Sequence, residues 1–228
     1  VRHWAWDVLP GLSILSFSIP TLVGFRARRL NLPLRLIVIY SAAALAEGLV
    51  MWYLGSQNRS NLWLIHIFAP FEATILLYAL SRWQTRELAR LMVVCCVPAF
   101  LLLWGSLTIT SESLAQFPQY VKTVESILLV AVSAFTLVSK SRSLVQPLVQ
   151  QDWFWVSVGL MIYFSMLAVL NPVANLLLQR ESMLLLMAVF EVNAALMILH
   201  NILFAWAIRC QQKQVNSGGS LSQRPLSA

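Results

Sequence analysis

Seven stretches of about 20 consecutive, mostly apolar residues run through this chain, and they leave little choice of fold. A stretch of that length crosses a hydrocarbon core of about 30 Å as an α-helix, in which every backbone polar group finds its partner within the segment. The stretches are 8–25, 34–54, 61–82, 90–109, 117–139, 153–178 and 183–208. The predicted fold is therefore all-α: an integral membrane seven-helix bundle over residues 1–210. A polar tail over 211–228, ending SGGSLSQRPLSA, reads as disordered. Pro10, Gly11 and Pro20 interrupt the first segment. The links between segments are short, so consecutive helices run antiparallel and no soluble domain is inserted.

Composition agrees with lipid as the solvent. Hydrophobic residues make up 59% of the chain and charged residues 11%, against about 25% charged in soluble domains. The net charge of +7 does not point to nucleic acid, because the basic residues lie in short clusters between apolar blocks. Three cysteines, two of them adjacent at Cys95 and Cys96 and the third at Cys210, offer neither a disulfide framework nor a metal spacing. Asp7 precedes the first apolar block and Arg26, Arg28 and Arg29 follow it. That is the reverse of a signal peptide's charge order, so the block reads as a retained helix, and Val1 hints at a few missing N-terminal residues.

Loop charge predicts the orientation. The loops after the first, third and fifth segments, with the tail, carry Arg26, Arg28, Arg29, Arg35, Arg82, Arg86, Arg90, Lys140, Arg142, Arg209, Lys213 and Arg224; the opposite side has Arg2, Arg59, Lys122 and Arg180. Twelve against four places the N-terminus outside and the C-terminus in the cytoplasm. Tryptophans mark both predicted interfaces, with Trp4, Trp6, Trp52, Trp63 and Trp104 at outer ends and Trp83, Trp153, Trp155 and Trp206 at inner ends.

The functional signal lies in polar residues inside the segments. Each charged side chain at a helix centre costs about 2.5–3.5 kcal/mol on insertion scales, and so should face the bundle interior. Glu47, His66, Glu72, Glu125 and Glu191 fall in the outer half or near the midplane, and His200 in the inner half, so the shared depth of the first five predicts one polar cavity opening outward. In the third segment Pro70 has no N–H, which frees the carbonyl of His66 four residues earlier. Asn61 and Glu72 share a face, with His66 about 120° round the helix. Two readings stand: a kinked packing helix whose His and Glu bond to neighbours, or a ligand or proton site.

In the seventh segment Asn193 and His200 share a face, while Glu191 points away from His200. His200-Asn201 fits either interhelical hydrogen bonding or a functional role. Glu125 follows Lys122 by three residues and is expected to pair with it near the outer interface. Tyr40 lies on the face of Glu47, and Ala42, Ala44, Ala46 and Gly48 give small-residue spacing for close helix packing. Trp155, Gly159 and Tyr163 form a ridge that reads as packing.

Several chemistries fit poorly. The seventh segment offers no lysine for a retinal Schiff base. His66 and His200 differ by about 10 Å in depth, too much for a bis-histidine haem. Two buried histidines fall short of a zinc hydrolase's three ligands, no metal ligands are assigned and no cofactor can be named. No nucleophile elbow, phosphate loop or metalloprotease motif occurs, which weighs against an enzyme.

Asn61, Trp63, His66, Pro70 and Glu72, with Tyr163, Phe164, His200 and Asn201, form a pattern that resembles a group of uncharacterised bacterial seven-helix membrane proteins. The resemblance implies this fold and an inner-membrane location, and brings no activity with it. The first functional expectation is a receptor or sensor that binds a small ligand or protons at Asn61, His66, Glu72, Glu47, Glu191, Asn193, His200 and Asn201. Its partners would be the lipid bilayer and a cytoplasmic or membrane signalling protein, since short loops leave no output domain. A proton-coupled transporter, an intramembrane metal-dependent hydrolase and a structural subunit are the alternatives.

Overall fold

The structure, a computed structural model, describes residues 5–27, 29–112, 117–142, 147–180 and 183–221. The sequence readings on Arg2, Trp4, Arg28, Arg224 and residues 222–228 lie outside them. Among the described residues the chain forms helices and connecting turns without strands, and seven helical stretches are long and apolar enough to cross a membrane.

Helices α1 (Ala5–Ser16) and α2 (Ser18–Arg26) together form the first span. They part at Phe17 because Pro20 has no N–H for the Ser16 carbonyl and its ring crowds that oxygen. The backbone recovers at Thr21, whose N–H and hydroxyl both reach the Phe17 carbonyl, at 3.4 and 2.8 Å. Helix α3 (Leu32–Ser56) starts sharply: the Asn31 side chain accepts from the Leu34 N–H at 3.0 Å, and Pro33 sits in the first turn, where its missing N–H costs nothing. The remaining helices are α4 (Leu62–Arg82), α5 (Glu87–Thr110), α6 (Gln119–Ser141), α7 (Asp152–Gln179) and α8 (Met183–Leu221).

Helix α8 continues through residues 211–221, where the polar composition predicts an irregular tail. Glutamine and lysine are good helix formers, and Gln214 donates to the Gln150 carbonyl at 2.7 Å, fixing the extension against the turn before α7. Hydropathy marks where the membrane ends, not where the helix does.

The spans close a ring. The α1–α2 pair packs on α8 and α3, then α3 on α4, α4 on α6, α6 on α7 and α7 on α8. Helix α5 lies outside the ring against α4 and α6; 11% of its most apolar window is buried, against 50% for α4. Gly24 permits the close approach of α2 to α3, since a Cβ there would overlap a Val38 methyl.

The core is divided along the ring axis. Toward the end where α2 meets α3 and α4 meets α5, Leu34, Ile37, Leu76, Leu77, Leu80, Leu129, Leu160, Phe204 and Ile208 are fully buried and form one apolar cluster. Polar latches close this end: Asn31 Nδ2 donates to Asp152 Oδ2 at 2.7 Å, and Gln84 Nε2 to Thr136 Oγ1 at 2.8 Å. Toward the α3–α4 turn the ring encloses polar groups instead.

Pro70 keeps α4 helical but removes the amide that would cap the His66 carbonyl. The Trp104 indole Nε1 fills that role from α5 at 3.0 Å, so the peripheral helix is attached where α4 lacks a donor. Trp104→Phe leaves that carbonyl without its donor in a medium that offers no water. It is expected to lower stability by about 1–3 kcal/mol in detergent unfolding experiments, and an unchanged unfolding curve would count against the contact.

Candidate functional site

Glu72 lies half a turn beyond Pro70 on α4 and is 5% exposed. Its Oε1 accepts the Tyr40 hydroxyl of α3 at 2.6 Å, and its Oε2 accepts the Lys122 ammonium of α6 at 2.5 Å. The same ammonium stands 2.7 Å from Glu125 Oε2. One cation thus joins two carboxylates from different helices, and a phenol extends the group to a third. Side-chain exposures of 12% for Lys122 and 0% for Glu125 put the cluster away from bulk water, where Coulombic attraction is weakly screened.

The start of α6 is built to present this lysine. Pro118 precedes the helix, and the buried Glu112 carboxylate, from just past the end of α5, accepts the N–H of Tyr120 and, at 3.4 Å, that of Val121. A carboxylate there satisfies orphan amides and complements the positive end of the helix. Lys122 and Glu125, three residues apart, then lie on one face. Asn175 of α7 donates to Gln119, fixing the same turn from the other side.

Above the cluster, toward the α3–α4 turn, lies a cavity of about 290 Å³. Its walls are Tyr40, Ala44, Glu47 and Met51 of α3; Ile65, Phe68 and Glu72 of α4; Lys122 of α6; Tyr163, Leu167, Leu170, Asn171 and Ala174 of α7; and Val189, Phe190, Asn193 and Met197 of α8, with Phe17 and Phe117. This is near the lower end of the range for small-molecule sites, about 300–1,000 Å³. Three lining groups are left over for a guest. Among the described residues Glu47 makes no hydrogen bond or ion pair, and Asn171 Nδ2 and Asn193 Oδ1 are buried without hydrogen-bond partners.

Glu47, Glu72 and Asn193 of the residues singled out from sequence come together on this cavity. Glu191 lines an adjoining pocket with Pro10, Ser13 and Met187, and Phe190 and Asn193 border both spaces. The others do not line the cavity. Asn61 donates to the Met51 carbonyl at 3.0 Å, stitching the start of α4 to the last turns of α3. His66 is fully buried on the face shared with Ala69 and Ala73, which pack on Phe100 and Val121. His200 sits among Tyr163, Phe164 and Phe204, with ring centroids 5.0, 6.4 and 4.0 Å away. Gly159 of α7 lies against it, and a Cβ there would stand 3.6 Å from His200 Nδ1, in ordinary van der Waals contact. Asn201 Nδ2 donates to Ser16 Oγ at 2.8 Å, just before the α1–α2 break.

Lys122, Tyr40, Tyr163 and Asn171 belong to the site and are missing from the sequence-based set. The expected Lys122–Glu125 pair forms, but Glu72 joins it from a helix 50 residues away in sequence. The placement of Tyr40 on the face of Glu47 was the available clue, and both line the cavity. The ridge of Trp155, Gly159 and Tyr163 does pack on α8, with Trp155 and Trp206 centroids 6.2 Å apart, yet Tyr163 also forms a cavity wall.

Such an arrangement can hold a small guest or move protons among carboxyl, ammonium and phenol groups. Among the described residues no three His, Cys, Asp or Glu side chains gather as a metal-holding group. No family model, curated protein or solved structure matches this chain. Tyr40→Phe removes a hydrogen bond to a charged group while keeping the ring. It is expected to destabilise the fold by about 1.5–3 kcal/mol, read from unfolding in mixed micelles; no change would dissociate Tyr40 from the cluster.

Proposed function

We propose that this multi-pass membrane protein is a receptor-like sensor of the bacterial inner membrane, with its C-terminus in the cytoplasm and its cavity open to the outside. A small ligand or protons enter the cavity and change the grip of Lys122 on its two carboxylates. Helix movement then passes the change to a membrane or cytoplasmic partner. One observation carries the reading: a largely apolar cavity with a few polar groups ends on a buried ion cluster above an apolar core. A proton-coupled transporter built on the same groups would need a second access route, and Leu34, Leu76, Leu80, Leu160 and Phe204 fill that half at 0% exposure. The α1–α2 break supports a moving element. Phe17, at the break, lines the cavity and meets the Tyr40 ring edge-on at 6.2 Å, so a guest that displaces Tyr40 would press on the least continuous span.

Thiol labelling tests both cavity and orientation. In a background with Cys95, Cys96 and Cys210 replaced by serine, single cysteines replace Ala44, Asn193, Leu76 or Leu160. Membrane-impermeant methanethiosulfonates of either charge, added outside intact cells, are expected to modify the first two and spare the last two. Equal modification at all four defeats the cavity, and modification of the first two from the cytoplasmic side alone reverses the orientation.

A further inference from the structure

The three unsatisfied groups and the charge balance of the cavity narrow the ligand class. Lys122 is the lining cation, and its ammonium is already taken up by Glu72 at 2.5 Å and Glu125 at 2.7 Å. An anionic guest would meet an ammonium that already faces two carboxyl groups, whose own negative charge opposes a third anion where screening is weak. Glu47 is in the opposite position. Among the described residues it borders the cavity without a partner, and the wall holds two carboxyl groups, Glu47 and Glu72, against one lysine, so a cation is the guest that an ionised Glu47 would pair with.

The apolar surroundings suit the same guest. Tyr40, Phe68, Tyr163 and Phe190 are among the lining residues, and a cation that meets the face of such a ring gains about 0.5–2 kcal/mol. Glu47 and Phe68 also border an apolar groove between α3 and α4 that includes Ala43, Leu64, Ile67 and Phe71, which gives the guest's hydrocarbon part room on the lipid side. Asn171 and Asn193 add a donor and an acceptor that no other group among the described residues satisfies.

We infer that the cavity binds a small organic cation, an amine or quaternary ammonium with an aromatic or branched apolar body, whose charge is held between Glu47 and the aromatic walls. The inference rests on the cavity being a ligand site, as proposed above, and assigns its chemical class.

The test uses the purified full chain in mild detergent, with benzyltrimethylammonium as the cationic probe and phenylacetate as an anionic one of similar size. Thermal unfolding followed by tryptophan fluorescence and titration calorimetry are read together. Benzyltrimethylammonium is expected to raise the midpoint saturably and phenylacetate to leave it unchanged. Glu47→Gln, which breaks no existing contact, is expected to weaken binding of the cation by about tenfold or more, and Glu47→Asp to restore part of it. Unchanged affinity in a folded Glu47→Gln, or no binding of the cation by the native chain, overturns the inference. Stabilisation by phenylacetate in place of the cation overturns the assigned class while leaving a ligand cavity. Failure of outside reagents to reach the cysteines at 44 and 193 removes the cavity reading itself.

Discussion

A single ammonium held between two carboxylates, inside a medium that cannot solvate any of them, is the interaction on which this bundle turns. Moving an isolated charge from water into an interior of low dielectric costs several kcal/mol even after relaxation, so Lys122, Glu72 and Glu125 are tolerable only together. Their contacts of 2.5 and 2.7 Å join α4 to α6, and the Tyr40 hydroxyl brings in α3 at 2.6 Å. Other features serve this junction. Glu112 and Asn175 hold the start of α6 where Lys122 projects, and Trp104 satisfies the carbonyl that Pro70 frees in α4.

The junction also divides the molecule. On one side of it buried aliphatic and aromatic side chains pack together; on the other, apolar side chains with a few polar groups surround open space. Under the proposed sensor reading, a guest in that space would meet the groups that hold three helices together, and its binding energy would move helices only insofar as it favoured one arrangement of those groups over another. Tyr40 is the natural intermediary, because it touches Glu72 by its hydroxyl and Phe17, Phe68 and Phe204 by its ring. Tyr163 links the cavity wall to the buried His200 in the same way.

How much of this could be read from sequence follows from the range of each interaction. The spans were legible because the hydrocarbon thickness imposes a length on every apolar block, and each observed helix matches its expected segment within a few residues except α8, which runs on to Leu221. The freed carbonyl at His66 was legible because proline acts four residues back along the same helix. Trp104, 38 residues away, was not, since nothing local marks which donor will arrive. Lys122 was assigned its neighbour Glu125 by helical spacing, but its contact with Glu72 depends on how α4 and α6 pack. The angular offset between His66 and Glu72 was visible, and the structure turns one toward Ala69's neighbours on α5 and the other into the cavity. The outlying position of α5 was not visible, because a span apolar on all sides carries no mark of which face meets protein.

The most direct measurement is the stability of Lys122→Met against that of the triple variant Lys122→Met, Glu72→Gln, Glu125→Gln, by reversible unfolding in mixed micelles. If the ammonium holds the two buried carboxyl groups in place, the single variant loses about 3–5 kcal/mol and the triple variant, which removes the stranded carboxyl groups too, regains most of it. A Lys122→Met protein within about 0.5 kcal/mol of the native chain, as for an ordinary surface change, would contradict the account.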